Sequence, residues 1–243
     1  MESYVVVDLE TTGLNAKRDK IIEIGAIRVE DGKQAATFST LVNPGRALSE
    51  KVQEITHITD TDLKKAPYIE EVIPKYLQFA KDYPLVGHSI IFDFSFLKRA
   101  AVNCGFFYER EGVDTLAIAR ACVPEQKSKS LVSLCGHFGI TYQPHRAFED
   151  AKATLALYKI LTEQFSNEEN KSLFQPKELK HQVKRERPAT KFQKKYLLRL
   201  LNYHSLTAEY DIDRLTRSEA SRYADSIISR YGRCPKEPYP KGK

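Results

Sequence analysis

Asp8 and Glu10 close a continuous apolar run, Tyr4–Val7. On a strand, a two-residue spacing turns both side chains to the same face. Carboxylates placed side by side at the end of a buried strand repel each other and lose hydration, and a cation relieves both costs. Taken alone, the pair is also what a strand running out into the polar turn Thr11-Thr12-Gly13 would show. Asp93 sits within Gly87-His-Ser-Ile-Ile-Phe-Asp-Phe-Ser-Phe-Leu97, where Phe96, Leu97 and Ala100 follow it at helical spacing. That spacing turns its carboxylate inward, where it needs a cation, a hydrogen-bonding group or a proton. Asp150 opens another inward stripe with Ala151, Leu155 and Tyr158, and His145 precedes it by five residues in a loop. Alone, each would pass as a helix-start carboxylate and a surface imidazole. Together, four carboxylates from three segments carry a charge of about −4, which two divalent cations balance. Oxygen-only donors favour Mg²⁺ or Mn²⁺ over zinc. Two such ions about 3.5–4 Å apart are a device for in-line attack at phosphorus.

The elements that must hold these residues alternate strand and helix. Tyr4–Val7 suits a strand buried on both faces. Two more strands, 21–29 and 36–42, are joined by Glu30-Asp-Gly-Lys33, a hairpin signal, so the first three form an antiparallel meander. The spacing predicts a helix over 67–82, a short strand at Leu85-Val-Gly87 and a helix over 90–103 closed by Gly105. A strand near 112–114 and helices over 115–122, 130–138 and 149–165 follow. Residues 1–165 thus read as a mixed α/β catalytic domain. Residues 166–188 lose apolar periodicity and read as a basic linker. Residues 189–232 read as a small helical module, its second helix opened by a Thr216/Glu219 capping box. Residues 233–243 read as a flexible tail.

Three blocks, Asp8-Leu-Glu10-Thr-Thr-Gly, His88-Ser-Ile-Ile-Phe-Asp93-Phe-Ser-Phe-Leu and His145-Arg-Ala-Phe-Glu-Asp150-Ala, occur in this order and resemble the signatures of DEDDh-type 3′–5′ exonucleases. This DnaQ-like family includes the bacterial proofreading (epsilon) subunits, and the likeness spans roughly residues 3–165. It implies a ribonuclease-H-like sheet of five strands, order 3-2-1-4-5, with the second antiparallel. It implies that Asp8, Glu10, Asp93 and Asp150 bind two Mg²⁺ or Mn²⁺ ions and that His145 is the general base on the attacking water. Imidazole suits that role, with a reference pKa of about 6.5. By the same likeness Thr11 and Leu14 match positions that hold the terminal nucleotide, and Phe92 an aromatic beside the site. The chain departs from the pattern at Ser89, where relatives often carry Asn, and at Thr56-His57-Ile58-Thr59, where His57 falls one place late for the contacts expected of it. The expected activity is release of nucleoside 5′-monophosphates from nucleic-acid 3′ ends, with single strands preferred and DNA ahead of RNA. The alternatives are a polymerase-associated proofreading subunit, an RNA-trimming exonuclease and a non-catalytic end-binding module.

Charge divides the chain. Its 243 residues carry a net +6, yet residues 1–165 hold 20 Lys+Arg against 22 Asp+Glu, and residues 166–243 hold 18 against 10. Lys184, Arg185, Arg187, Lys191, Lys194 and Lys195 form the densest stretch, as expected of a grip on a phosphate backbone or of a solvated basic linker. A DNA polymerase or a repair or replication protein is the expected further partner. Apolar runs fall far short of the roughly 20 residues that a membrane helix needs. The start, Met1-Glu-Ser-Tyr, lacks a signal-peptide pattern, and four scattered cysteines show no disulfide spacing, so a cytoplasmic setting is expected.

Overall fold

A computed structural model describes residues 2–235. In chain order the elements are β1 (Tyr4–Thr11), β2 (Ile21–Glu30), β3 (Lys33–Leu41), α1 (Glu50–Thr56), α2 (Asp60–Lys64), α3 (Ile69–Ala80), β4 (Leu85–Gly87), α4 (Ile90–Asn103), β5 (Glu111–Asp114), α5 (Thr115–Cys122), α6 (Leu131–His137), α7 (Ala147–Phe165), β6 (Lys177–Glu178), α8 (Lys191–Tyr203) and α9 (Arg217–Tyr231). They form two compact units, one of Met1–Pro44 with Leu48–Arg185, the other of Gly45–Ala47 with Glu186–Lys243.

The first unit is built on a mixed sheet of order β3-β2-β1-β4-β5-β6, with β2 antiparallel to β1 and β4 parallel to it. This is the ribonuclease-H-like order that the resemblance implied, with one strand more. The β2–β3 hairpin turns on Asp31 and Gly32, both at positive φ (50° and 73°), the left-handed pair that a tight two-residue turn demands. Alternation along β1 splits the core. Val5, Val7 and Leu9 pack with Ile73, Tyr76, Phe94 and Leu97 of α3 and α4, while Tyr4 and Val6 pack with Ala151, Leu155 and Tyr158 of α7. That two-sided burial is why the strand reads as an unbroken apolar run. The pairing of β1 with β4 covers only Val5–Leu85 and Val6–Val86, so β1 runs on beyond β4 toward Asp8 and Glu10.

The sequence pattern marks no element over residues 50–64, and residues 166–185 depart from the expected linker. Residues 50–64 hold α1 and α2, started by the Ser49 cap and a Thr59/Asp62 capping box. They close over Ile22 with Leu48, Ile58 and Leu63. Residues 166–185, expected as linker, are built into the first unit. Phe174 is buried against the α7 side and Leu179 in the core beside α3 and α4, while β6 pairs with β5 at Glu111–Glu178 and Gly112–Lys177. Two anchoring side chains and one edge pairing order a segment whose composition is otherwise polar.

The second unit has its own small core of Leu197, Leu200, Leu201, Leu215, Ala220, Ala224, Ile227 and Cys234. Capping boxes start both of its helices, Thr190/Gln193 on α8 and Thr216/Glu219 on α9. Gly45–Ala47 joins it through Ala47 N–H to the Glu209 carbonyl and Asp211 N–H to the Gly45 carbonyl, both 2.8 Å. Of the expected tail, Cys234 is buried in this core, and residues 236–243 lie outside the described residues. All four cysteines are free thiols. Among the described residues no helix is long and apolar enough to cross a membrane.

Candidate active site

Asp8 and Glu10 extend the face of β1 that carries Tyr4 and Val6, the face covered by α7. Across the β1–β2 ladder, Asp8 stands opposite Gly25 and Glu10 opposite Glu23. A β-carbon at Gly25 would lie 2.2 Å from the backbone of Ala147 and Phe148, so the start of α7 rests directly on the β2 main chain. Asp150, one turn into α7, is thereby brought to β1. Asp8, Glu10 and Asp150 each offer a carboxylate oxygen, and the three lie within 4.8 Å of one another. From the opposite face, α4 supplies Asp93, only 3% exposed, whose carboxylate accepts the Leu9 backbone N–H. Asp93 stands outside the triplet, but its charge acts on Asp8.

The cluster is electrostatically incomplete as protein alone. Burial, followed by the charges of Asp93, Asp150 and Glu10, holds Asp8 well above the usual carboxylate range. Burial does the same to Asp93 against the pull of two backbone N–H groups. Glu10 is pushed up to about 8, by burial first and then by Asp150 and Glu23. Burial also raises Asp150, though the backbone N–H of Arg146 and the charge of His145 oppose it. Several buried carboxylates with oxygen-only donors fit hard divalent cations, which supply the missing positive charge.

His145 lies at the rim, exposed and at φ 65°, immediately before α7. Arg146 N–H donates to Asp150 Oδ2 at 3.0 Å. The Arg146 guanidinium grips Glu23, with Nη2 to Oε1 at 2.8 Å and Nε to Oε2 at 3.2 Å. Tyr142 reaches the same place from the α6–α7 connection. Its hydroxyl is buried without a well-formed hydrogen bond, and burial followed by the charge of Asp150 pushes its pKa far up.

The remaining expected residues are placed differently. Thr11 closes its own turn, its hydroxyl donating to the Gly13 carbonyl at 2.7 Å. Leu14 is 87% exposed in the β1–β2 loop. Phe92 packs against Phe96 in a tilted pair, ring centroids 5.0 Å apart, and is half-buried. His57 is the exposed, left-handed cap of α1 at φ 56° and is not among the clustered ligands. His88 bridges Thr115 Oγ1 and the Lys129 carbonyl at 2.9 and 2.8 Å, tying β4 to the α5–α6 connection. Of the basic stretch, Lys184, Arg185, Arg187, Lys191 and Lys195 are exposed. Lys194 pairs with Asp213 at 3.0 Å. The exposed Phe192 and Tyr203 stand outside the second unit's core, which Tyr196 joins.

Sequence reading passed over Glu23, Arg146 and Tyr142. Glu23 carries a signal all the same, being the one charged residue before Arg28 in the apolar run Ile21–Ile27.

An RNase-H-like sheet whose central strand ends in clustered carboxylates, met by a helix-start aspartate and a loop histidine, defines a nuclease-type site. The chain belongs to the exonuclease family RNase_T, whose model matches residues 5–158. It is 40% identical over 159 residues to a DNA polymerase III PolC-type protein of Clostridium perfringens, covering 65% of this chain and 11% of that protein. A Bacillus cereus PolC-type protein is 33% identical over 243 residues, covering 93% of this chain and 17% of the relative. The chain thus spans about a tenth to a sixth of the length of these relatives. With the DNA polymerase III subunit epsilon of Aquifex aeolicus the identity is 37% over 164 residues, covering 66% of this chain and 81% of the subunit. Among solved structures, Exonuclease X in complex with 5′-overhanging duplex DNA superposes with TM-score 0.54 at 28% identity, over 68% of this chain and 93% of that one. E. coli Exonuclease I with a dA16 oligonucleotide shares the fold, with TM-score 0.60 at 18% identity, over 68% of this chain and 41% of that one.

Proposed function

We propose that the chain is a divalent-metal-dependent 3′–5′ exonuclease that hydrolyses the terminal phosphodiester of DNA and releases nucleoside 5′-monophosphates. The observation that carries this reading is the carboxylate triplet Asp8, Glu10 and Asp150, with Asp93 beside it and His145 at its rim. These four carboxylates would hold two ions, Mg²⁺ or Mn²⁺. Such ions supply positive charge at the phosphate and lower the pKa of a water. His145 accepts the proton of the attacking water as its oxygen bonds to phosphorus and the bond to the neighbouring nucleotide's 3′ oxygen breaks, that oxygen taking up a proton from solvent to leave a 3′ hydroxyl. Its exposed position suits a base that passes its proton on to solvent. Leu14 and Phe92 offer apolar contact to the terminal nucleotide, and Thr11 shapes the turn that leads into Leu14. The exposed Lys184, Arg185, Arg187, Lys191 and Lys195 hold the strand's phosphates. DNA as substrate is supported by the DNA bound to Exonuclease X, a solved relative at 28% identity.

The test is a time course with Mg²⁺ on 5′-labelled single-stranded DNA and on matched RNA. A ladder of labelled products that shorten one nucleotide at a time on DNA is expected. Immediate release of the label as a mononucleotide contradicts the direction, and faster loss of RNA contradicts the substrate.

The PolC-type and epsilon relatives favour a second reading, that this exonuclease proofreads for a DNA polymerase. Co-purification with a polymerase supports it. A chain that elutes alone at polymerase-saturating concentration, with exonuclease activity intact, opposes it.

A further inference from the structure

We infer that Glu23 is a positioning residue for the reaction, holding the His145–Arg146 turn against the sheet so that the imidazole meets the attacking water from one direction. This rests on the reading of His145 as general base. Glu23 is 2% exposed in the middle of an apolar strand, where a carboxylate persists only if fully partnered. Its partners are all at the start of α7. Arg146 contributes Nη2 at 2.8 Å to Oε1 and Nε at 3.2 Å to Oε2, and the Ala147 N–H reaches Oε2 at 3.0 Å. Arg146 is the N-cap of α7 and has no side-chain cap of its own, so Glu23 supplies the cap from a strand 124 residues away. Asp150 takes the preceding amide, that of Arg146, at 3.0 Å. Two consecutive N–H groups are thus pinned by two carboxylates, one a proposed metal ligand and the other not.

His145 is the residue immediately upstream, with φ 65°, a conformation that side chains with a β-carbon keep only where the surroundings hold them. Nothing in its own sequence enforces that turn, since Pro144 fixes only its own φ. Gly25, two residues along β2 on the same face, lets the α7 backbone come within van der Waals reach. Glu23 and Gly25 therefore act as one seat. The Arg146 side chain is 45% exposed and gains little from being pinned, so the arrangement serves the backbone it anchors.

Glu23→Gln in the full chain keeps an oxygen for the Ala147 N–H but removes the charge that holds Arg146. Turnover is expected to fall roughly 10–100-fold, with KM for the oligonucleotide, half-saturating Mg²⁺ and melting temperature nearly unchanged, because a misaimed base is costly without loss of binding. In the His145→Ala background the same change should cost less than about 2-fold, since its effect passes through the base. A full additional loss in that background overturns the proposal. So does recovery of the rate by raised Mg²⁺, which would make Glu23 part of the cation set. If His145→Ala alone keeps full rate while Glu23→Gln is slow, the base reading fails first and Glu23 acts elsewhere. Should Glu23→Gln not fold, Arg146→Gln on the exposed side of the pair enters the same cycle, and additivity there overturns the proposal equally.

Discussion

The two units handle charge in opposite ways. Gly45–Ala47 with Glu186–Lys243 holds 14 basic and 7 acidic residues, and seven of the eleven basic ones among the described residues are exposed, while the larger unit holds 24 and 25. The larger unit concentrates its charge problem in one place, where burial and neighbouring carboxylates raise Asp8, Glu10 and Asp93 together. Exposed cations stay hydrated and cost the fold little, and they act over about a Debye length, so salt controls them. Buried anions cost the fold much and act only within a few ångström, so a bound cation controls them. Chemistry and grip should therefore respond to different variables.

The largest break of this contrast comes from the site itself. Asp8→Ala or Asp150→Ala should lower turnover about 10³-fold or more at saturating Mg²⁺, measured on labelled single-stranded DNA. Retained activity in both removes the cluster from the mechanism. His145→Ala should cost roughly 10²–10⁴-fold while leaving metal affinity intact, and an unchanged rate removes it as base. The second unit should behave otherwise. Replacing Arg187, Lys191 and Lys195 together by Ala should leave saturated turnover unchanged and flatten the salt dependence of single-strand binding by a slope of about 2. An unaltered slope denies the grip.

The smallest effect is on stability, and its sign follows from the raised carboxylates. Their folded pKa values lie above the unfolded ones, so the native state holds more protons and metal-free stability falls as pH rises. For Glu10 the loss runs from its ordinary 4.5 through about 8. Melting of the EDTA-treated chain should therefore fall across that window, and saturating Mg²⁺ should abolish the decline. A melting temperature that rises with pH without metal contradicts the assignment.

Much of the first unit was legible because its elements are long and patterned. The inward stripe after Asp93 marks α4 at Ile90–Asn103, and the doubly buried β1 shows as an apolar run. Helices α1 and α2 were not, because seven and five residues hold too few periods. Residues 166–185 hid their packing because only Phe174 and Leu179 anchor a polar stretch. At the site, the carboxylates and His145 stood out by spacing, whereas the Glu23–Arg146 tie joins residues 123 apart and leaves no local pattern.

The most direct test of the central claim, that the β1–α4–α7 carboxylates hold divalent cations, is calorimetric titration of the metal-free chain with Mn²⁺. Two ions per chain are expected, with binding weakened at least tenfold in Asp8→Ala. Equal binding by the intact chain and Asp8→Ala, or none by either, would contradict it.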